Sequence, residues 1–347
     1  MGLLPRRRIL RIVLVLAALV VVAALLLQYA MEPQRASRFL LARVGNALGL
    51  EITATGVAEY RLRGTPTLVV RDVVAREPGA ARPLLRADRI LLSLPWSTVR
   101  ARGAVLEATR IELDAPILDL PALQHWLDGR PPSRQERMPT LLEGIHIRNG
   151  VLDGGSWRLD DVQAELPSFA PGVSSPLRLR GVYRDPPVAF ELSGPLRWAA
   201  GIWSVSPAQL AVRGRGEAAS DPVPAIDARG GIAFGQTLAL RMQGDIATWP
   251  DAWPALPEPL ASSRSPMSFT LGYDGALDLS ATASLQLQRE ATRFDGRFEL
   301  PAVLSWFDAG SANPLPPIDG TLQTPRLDIA GAQLHGIEIG IKDGDGE

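Results

Sequence analysis

The chain has no cysteine, and among its 347 residues there are three histidines and a single lysine. Without cysteine there is no disulfide, no thiolate nucleophile and no cysteine-bound zinc or iron–sulfur centre. The absence is compatible with an oxidising compartment. His125, His146 and His335 lie far apart with no i, i+4 pairing, so they do not read as metal ligands. All but one of the 36 basic residues are arginine, the exception being Lys342, which with abundant alanine, glycine and proline reads as GC-rich codon usage. A net charge of −1 gives no general attraction to nucleic acid or anionic lipid. Aromatics make up 6% and do not interleave with basic clusters, which disfavours nucleic-acid binding. Long helical periodicity is almost absent beyond residue 130, so no helix layer is expected over the strands that follow.

Catalytic motifs are missing too. Gly154-Gly155-Ser156-Trp157 is not a nucleophile elbow, and Gly214-Arg215-Gly216-Glu217 lacks the strand and helix of a phosphate loop. Asp343 to Glu347 has too few ligands for a calcium loop. Asp160 with Asp161, or Asp274 with Asp278, are carboxylate pairs of a kind that any β protein of this size contains. The sequence therefore assigns no catalytic residue, no cofactor and no metal.

What is present begins at the N-terminus. Arg6, Arg7, Arg8 and Arg11 precede an unbroken apolar run from Ile12 to Leu27 that includes Leu14, Leu16, Val20, Val22 and Leu25. With its flanks the segment reaches the roughly 20 residues that cross a bilayer. The arginine cluster predicts a cytoplasmic tail (1–8), a single span (9–30) and an exported remainder. A cleaved signal peptide is the competing reading: Ala30 suits the last residue before a cut, but Gln28 stands where a small residue belongs.

Residues 32–48 predict a short amphipathic helix, with Phe39, Leu40, Val44 and Leu48 at helical spacing and Gly49 as its stop. Strands are predicted over 50–55, 67–75, 87–94 and 110–120, then a helical turn or two over 121–127. Three prolines within 129–139 read as a linker, dividing a module at 31–130 from one at 131–347. Beyond it, strands are predicted over 144–152, 157–166, 177–183, 188–192, 208–212, 231–234 and 238–245, with Asn149-Gly150 as a turn. Prolines break the pattern at 249–259 and 313–317. A loose motif recurs around Val70-Arg71-Asp72-Val73, Leu159-Asp160-Asp161-Val162 and Leu334-His335-Gly336-Ile337. Its apolar positions lie three apart, so one face can hold both only if the strand bends at the Asp or Gly.

The clearest pattern lies near the C-terminus. Across 277–288, Leu277, Leu279, Ala281, Ala283, Leu285 and Leu287 alternate with polar residues, as they do in a strand with one apolar face. Phe294 and Phe298 continue it, as do Ile337, Ile339 and Ile341, with Leu327 and Ile329 between. These residues are the candidate lining of an apolar surface.

From the apolar run to about Leu127 the chain resembles the AsmA-like family of bacterial envelope proteins. The matching segments, in order, are Gly49-Leu50-Glu51-Ile52-Thr53, Pro66-Thr67-Leu68-Val69-Val70-Arg71-Asp72-Val73, Ala87-Asp88-Arg89-Ile90-Leu91-Leu92-Ser93-Leu94 and Ile111-Glu112-Leu113-Asp114-Ala115-Pro116-Ile117-Leu118-Asp119-Leu120. The resemblance implies an N-terminal transmembrane helix followed by an elongated, twisted antiparallel β-sheet curled into an open apolar groove, similar to bridge-like lipid transfer proteins. It further implies phospholipid or other lipid tails as partners. Roughly twenty strands at ~4.8 Å would extend about 95 Å, shorter than the large members that carry phospholipid between membranes.

The expectation is a mainly β, single-pass inner-membrane protein with its bulk in the periplasm. It would bind acyl chains without a covalent step and assist phospholipid transport or outer-membrane biogenesis. The alternatives are a structural or assembly factor with envelope protein partners, for outer-membrane proteins or a secretion apparatus, and a closed β-sandwich enzyme acting on envelope polysaccharide.

Overall fold

The structure, a computed structural model, describes residues 41–42, 45–46, 48–56, 59–61, 64–100, 107–129, 140–183, 188–199, 201–214, 225–246, 249, 256, 258, 260–263, 265–308, 316–329 and 332–342. Arg6, Arg7, Arg8, Arg11 and the apolar run from Ile12 to Leu27 lie outside the described residues, as does the division at 130/131. Among the described residues no helix is long and apolar enough to cross a membrane.

The described residues open with the end of the helix expected at 32–48, which stops at Gly49 in the left-handed conformation (φ +60°). Strands β1 (Glu51–Ala54), β2 (Glu59–Arg61), β3 (Thr67–Arg76) and β4 (Leu85–Ser93) follow, then helix α1 (Trp96–Arg100). Next come β5 (Glu107–Ala108), β6 (Arg110–Asp114), β7 (Ile117–Asp119) and helix α2 (Leu120–Asp128). Asp119 caps α2, its carboxylate accepting from the Ala122 N–H at 2.8 Å, and a proline stands in the first turn. The chain continues with β8 (Thr140–Leu141), β9 (Ile145–Asp153), β10 (Arg158–Leu166), β11 (Ser175–Tyr183), β12 (Val188–Ala199) and β13 (Ile202–Gly214). Then come β14 (Ile226–Phe234), β15 (Leu238–Ile246), β16 (Met267–Gly275), β17 (Thr282–Arg289) and β18 (Thr292–Glu299). Helix α3 (Leu300–Asp308), β19 (Ile318–Ile329) and β20 (Ala332–Ile341) complete it.

All strands but β5 and β8 join one sheet. β1 and β2 both pair with β3, β3 pairs with β4, and β4 pairs with β6 and β7. β6 and β7 then run parallel to β9, the single parallel step in an otherwise antiparallel sheet. From β9 to β20 each strand pairs with the next, so the strands on both sides of the 129–139 linker belong to one sheet.

Four expectations are revised. The strand expected over 110–120 is two, β6 and β7, parted at Ala115 with φ +47°. The strand expected over 277–288 spans Thr282–Arg289; Leu277 to Ala281 form the turn before it, with Leu279 at φ +62°. Asn149-Gly150 is not a hairpin turn but a kink inside β9, with Asn149 at φ +52°. The strand β16 and the helix α3 lie where the sequence reading placed neither.

The bend expected in the loose repeat is present. Asp72, Asp161 and Gly336 all have positive φ (52°, 49° and 63°). At the first site the bend puts Val70 and Val73, three apart, into one buried cluster with Leu41, Ile52 and Ile90. Asp72 in β3, Ala115 between β6 and β7, Asn149 in β9 and Asp161 in β10 lie at nearly the same level of the sheet, so the kinks form a crease across β3 to β10 that only β4 crosses without one. Beside the crease Arg89 donates to Asp114 at 2.6 Å, and Arg148 reaches the same carboxylate at 3.0 Å. Burial disfavours the charged Asp114, but the hydrogen bonds from Arg89 and Arg148 together prevail and hold its carboxyl below the ordinary range.

The sheet curls. Trp157, in the turn between β9 and β10, donates its indole N–H to the Asp278 carbonyl in the turn before β17 at 2.6 Å. Seven strand spacings separate β10 from β17, about 34 Å if the sheet were flat. The apolar face is on the inside of the curl, since Ala108 and Leu141 of the short pair β5–β8 share one buried cluster with Leu196, Val205, Ala228, Met242 and Phe269.

Candidate functional site

Antiparallel register carries the apolar pattern from strand to strand without a break. Leu210, Ala228 and Gly244 stand in one row with Phe269, Leu287, Phe294, Leu322 and Ile339. A second row runs Gly230, Met242, Leu271, Leu285, Gly296, Gly320 and Ile341. Residues directly opposite share a face, so both rows lie on the same side of the sheet. The other side carries Arg229, Gln243, Thr270, Gln286, Asp295, Thr321 and their neighbours, a wet surface with cross-strand ion pairs such as Arg213 to Asp227 at 2.6 Å.

Cover over the apolar side is uneven, and this decides what the face can do. Across β12 to β16 it is packed: Val205 is 1% exposed, Met242 2%, Ala228 3% and Leu196 5%. From β17 onward Leu285, Leu287, Phe294, Phe298, Leu322, Ile337, Ile339 and Ile341 are all only partly buried. β20 contributes no buried residue among those described. The Phe294 ring lies over Gly296 and Gly320, where an added Cβ would come within 2.6 and 2.7 Å of it. Two glycines in adjacent strands thus make a shallow slot on the open part of the face, and the Phe294 ring fills it.

The expected lining residues therefore fall into three groups. Leu285, Leu287, Phe294, Phe298, Ile337, Ile339 and Ile341 share the open face. Leu277 and Leu279 sit in the turn at one end of β17. Leu327, 1% exposed, is core rather than lining, and Ile329 lies near the end of the same strand. The segment near Leu327 explains its burial: Glu258 bridges to Asp328, and Leu260 is buried at 7%. Arg289 fixes this strap by donating to the carbonyls of Leu260, Ser263 and Ser265 at 2.6–3.0 Å. The proline-rich break read at 249–259 thus runs into a strap across one end of β16 to β19.

At the other end Tyr273 closes the β16–β17 turn, its hydroxyl donating to the Ala276 carbonyl at 2.6 Å and accepting from the Ala281 N–H at 3.3 Å. Burial raises its phenol pKa, keeping it a neutral donor. Two depressions lie on the wet side. One of ≈ 760 Å³ is lined by Arg241, Asp274 and Arg297, and one of ≈ 900 Å³ by Asp295, Asp319 and Lys342. Both mix charges of opposite sign and are open to water. Among the described residues no three acidic or histidine side chains gather as a metal site.

No known protein family's profile matches this chain, and no curated protein matches it either. The geometry of the sheet is what a functional reading has to stand on.

Proposed function

We propose that the chain is an inner-membrane-anchored periplasmic protein whose curled sheet forms a groove for lipid acyl chains, and that it assists phospholipid transport or outer-membrane biogenesis. One observation carries the reading: two rows on the apolar side that are buried at Ala228, Met242 and Phe269 are only partly buried at Leu285, Leu287, Phe294, Leu322 and Ile339. Water against such a face costs about 25 cal/mol per Å². Acyl chains satisfy it without hydrogen bonds, while headgroups stay with the water at the rim. Lipids move along such a surface without any bond being made or broken. The AsmA-like segments between Gly49 and Leu120 and the apolar run at 12–27 are consistent with this placement in the envelope.

The reading as an assembly factor draws on a different feature. β20 pairs with β19 alone among the described strands, so its outer edge presents unpaired backbone groups that a partner strand could extend.

The test is mass spectrometry of the full chain purified in mild detergent. The groove reading expects phospholipid retained at a reproducible ratio to protein and lost from an Ile339→Asp variant that is still folded. A lipid-free protein, or equal lipid on both chains, would sink it.

A further inference from the structure

The turns of an antiparallel sheet fall alternately at its two ends, and one end here collects unusual features. The 235–237 turn, the 276–281 turn and α3 all lie there, because Thr282 at the start of β17 is paired with Glu299, the residue before α3. Helix α2 is tied to the same end: Gln124 donates to the Gln236 carbonyl at 2.9 Å and accepts from the Leu277 N–H at 2.9 Å. The entering chain meets it as well, since Trp126 donates to the Leu48 carbonyl at 3.1 Å. Ile202 at the start of β13 and Val173 in the turn before β11, 52% and 56% exposed, lie at this end too.

Helix α3 is apolar almost all round. From Leu300 to Phe307 only Ser305 is polar; Leu300, Val303, Leu304 and Trp306 are partly buried and Ser305 is exposed. At about 1.5 Å per residue a nine-residue helix is far too short to span a bilayer, and its Leu, Trp and Phe are the residue types that an interfacial helix buries in the headgroup–acyl boundary. The sequence supplies the bilayer: 13 residues separate Leu27, the end of the apolar run, from Leu41. Such a segment reaches about 50 Å at most, and the chain that follows it meets the sheet at this end, where Trp126 holds the Leu48 carbonyl.

We propose that α3 lies in the interfacial layer of the bilayer that holds residues 9–30, seating this end of the groove against its acyl chains. The inference rests on the groove reading above and on the anchor, and it names where lipid enters. α3 carries no basic residue, so its insertion depends on apolar area and not on anionic lipid or low salt. The tether makes a weak helix sufficient, because it holds α3 at high effective concentration beside the surface.

A chain without cysteine allows clean labelling. Ser305→Cys in α3 and Ala291→Cys in the turn at the opposite end each receive an environment-sensitive fluorophore in the full chain. Both are reconstituted into vesicles of phosphatidylcholine brominated near the headgroup, or unbrominated, with circular dichroism as the folding control. The expected result is about twofold quenching at 305, unchanged by salt, none at 291, and loss of the quenching when Val303→Asp is added. No quenching at 305 overturns the seating while retained lipid in the mass spectrum leaves the groove standing. Equal quenching at both positions overturns it as well, because the chain would then lie flat. A blue shift that follows protein concentration without vesicles would assign α3 to a second copy, and equally overturns the proposal.

Discussion

Met242→Asp should prevent the full chain from folding, while Ile339→Asp should leave it folded. Both residues lie on the apolar side of one sheet, and by sequence pattern they are equivalent. Met242 is among the largest side chains less than 2% exposed, in a cluster with Val205, Ala228 and Phe269. A carboxylate there has no partner and no water, which costs several kcal/mol out of a total stability of about 5–15 kcal/mol. Ile339, in the edge strand β20, is only partly buried, so water reaches a new carboxylate and the loss should be about 1–2 kcal/mol. Urea unfolding of the two variants in detergent measures the difference directly. Equal destabilisation would mean that the face is closed throughout.

Gly144→Ala should be nearly as damaging, for a reason unrelated to hydrophobicity. Gly144 has φ +73°, and a Cβ built there would collide with the Leu166 carbonyl oxygen and stand 2.6 Å from the Pro167 carbonyl carbon. Neither contact is a flexible side chain that can swing away. Both belong to backbone held in place by the β9–β10 ladder and by the reciprocal Leu141–Phe169 hydrogen bonds at 2.8 and 2.9 Å. The Gly144 carbonyl also accepts from the Ile111 N–H at 3.0 Å, so the residue cannot retreat without breaking the join between β6 and β9. A loss above about 3 kcal/mol is expected. Gly172→Ala is the control: φ is +77° but nothing lies within 4 Å, so only the left-handed backbone penalty of about 1 kcal/mol remains. If the two variants melt together, the close approach at Gly144 is not what fixes that residue.

Much of the fold could be read from period-two alternation, because one face of each strand is apolar and the other wet. The bends at Asp72 and Asp161 were legible too, since apolar residues three apart cannot share a face of a straight strand. The extent of the strand at 277–288 was not. Leu277, Asp278, Leu279 and Ser280 alternate by composition while forming a turn, and alternation alone does not distinguish a strand from the turn that feeds it. Helix α3 escaped because Leu300 to Leu304 is apolar throughout and has no 3.6-residue period; Pro301 in its first turn was the available signal. β16 was legible in principle from Met267, Phe269, Leu271 and Tyr273. As for the site, the sequence shows which residues share a face but not which part of the face is covered. Leu327 and Leu285 look alike in the chain; the strap carrying Leu260, held by Arg289, makes the first core, while the second is only partly buried.

The central claim is that the uncovered apolar rows of β17 to β20 hold acyl chains, and photocrosslinking in living cells tests it most directly. A photoreactive residue is placed at Ile339 or Leu285 on the apolar side, and at the adjacent Glu338 or Gln286 on the wet side. The account predicts phospholipid adducts at 339 and 285 and none at 338 and 286, positions one residue away along the same strands. Protein adducts at 339 and 285 in place of lipid, or lipid captured equally at all four positions, would contradict it.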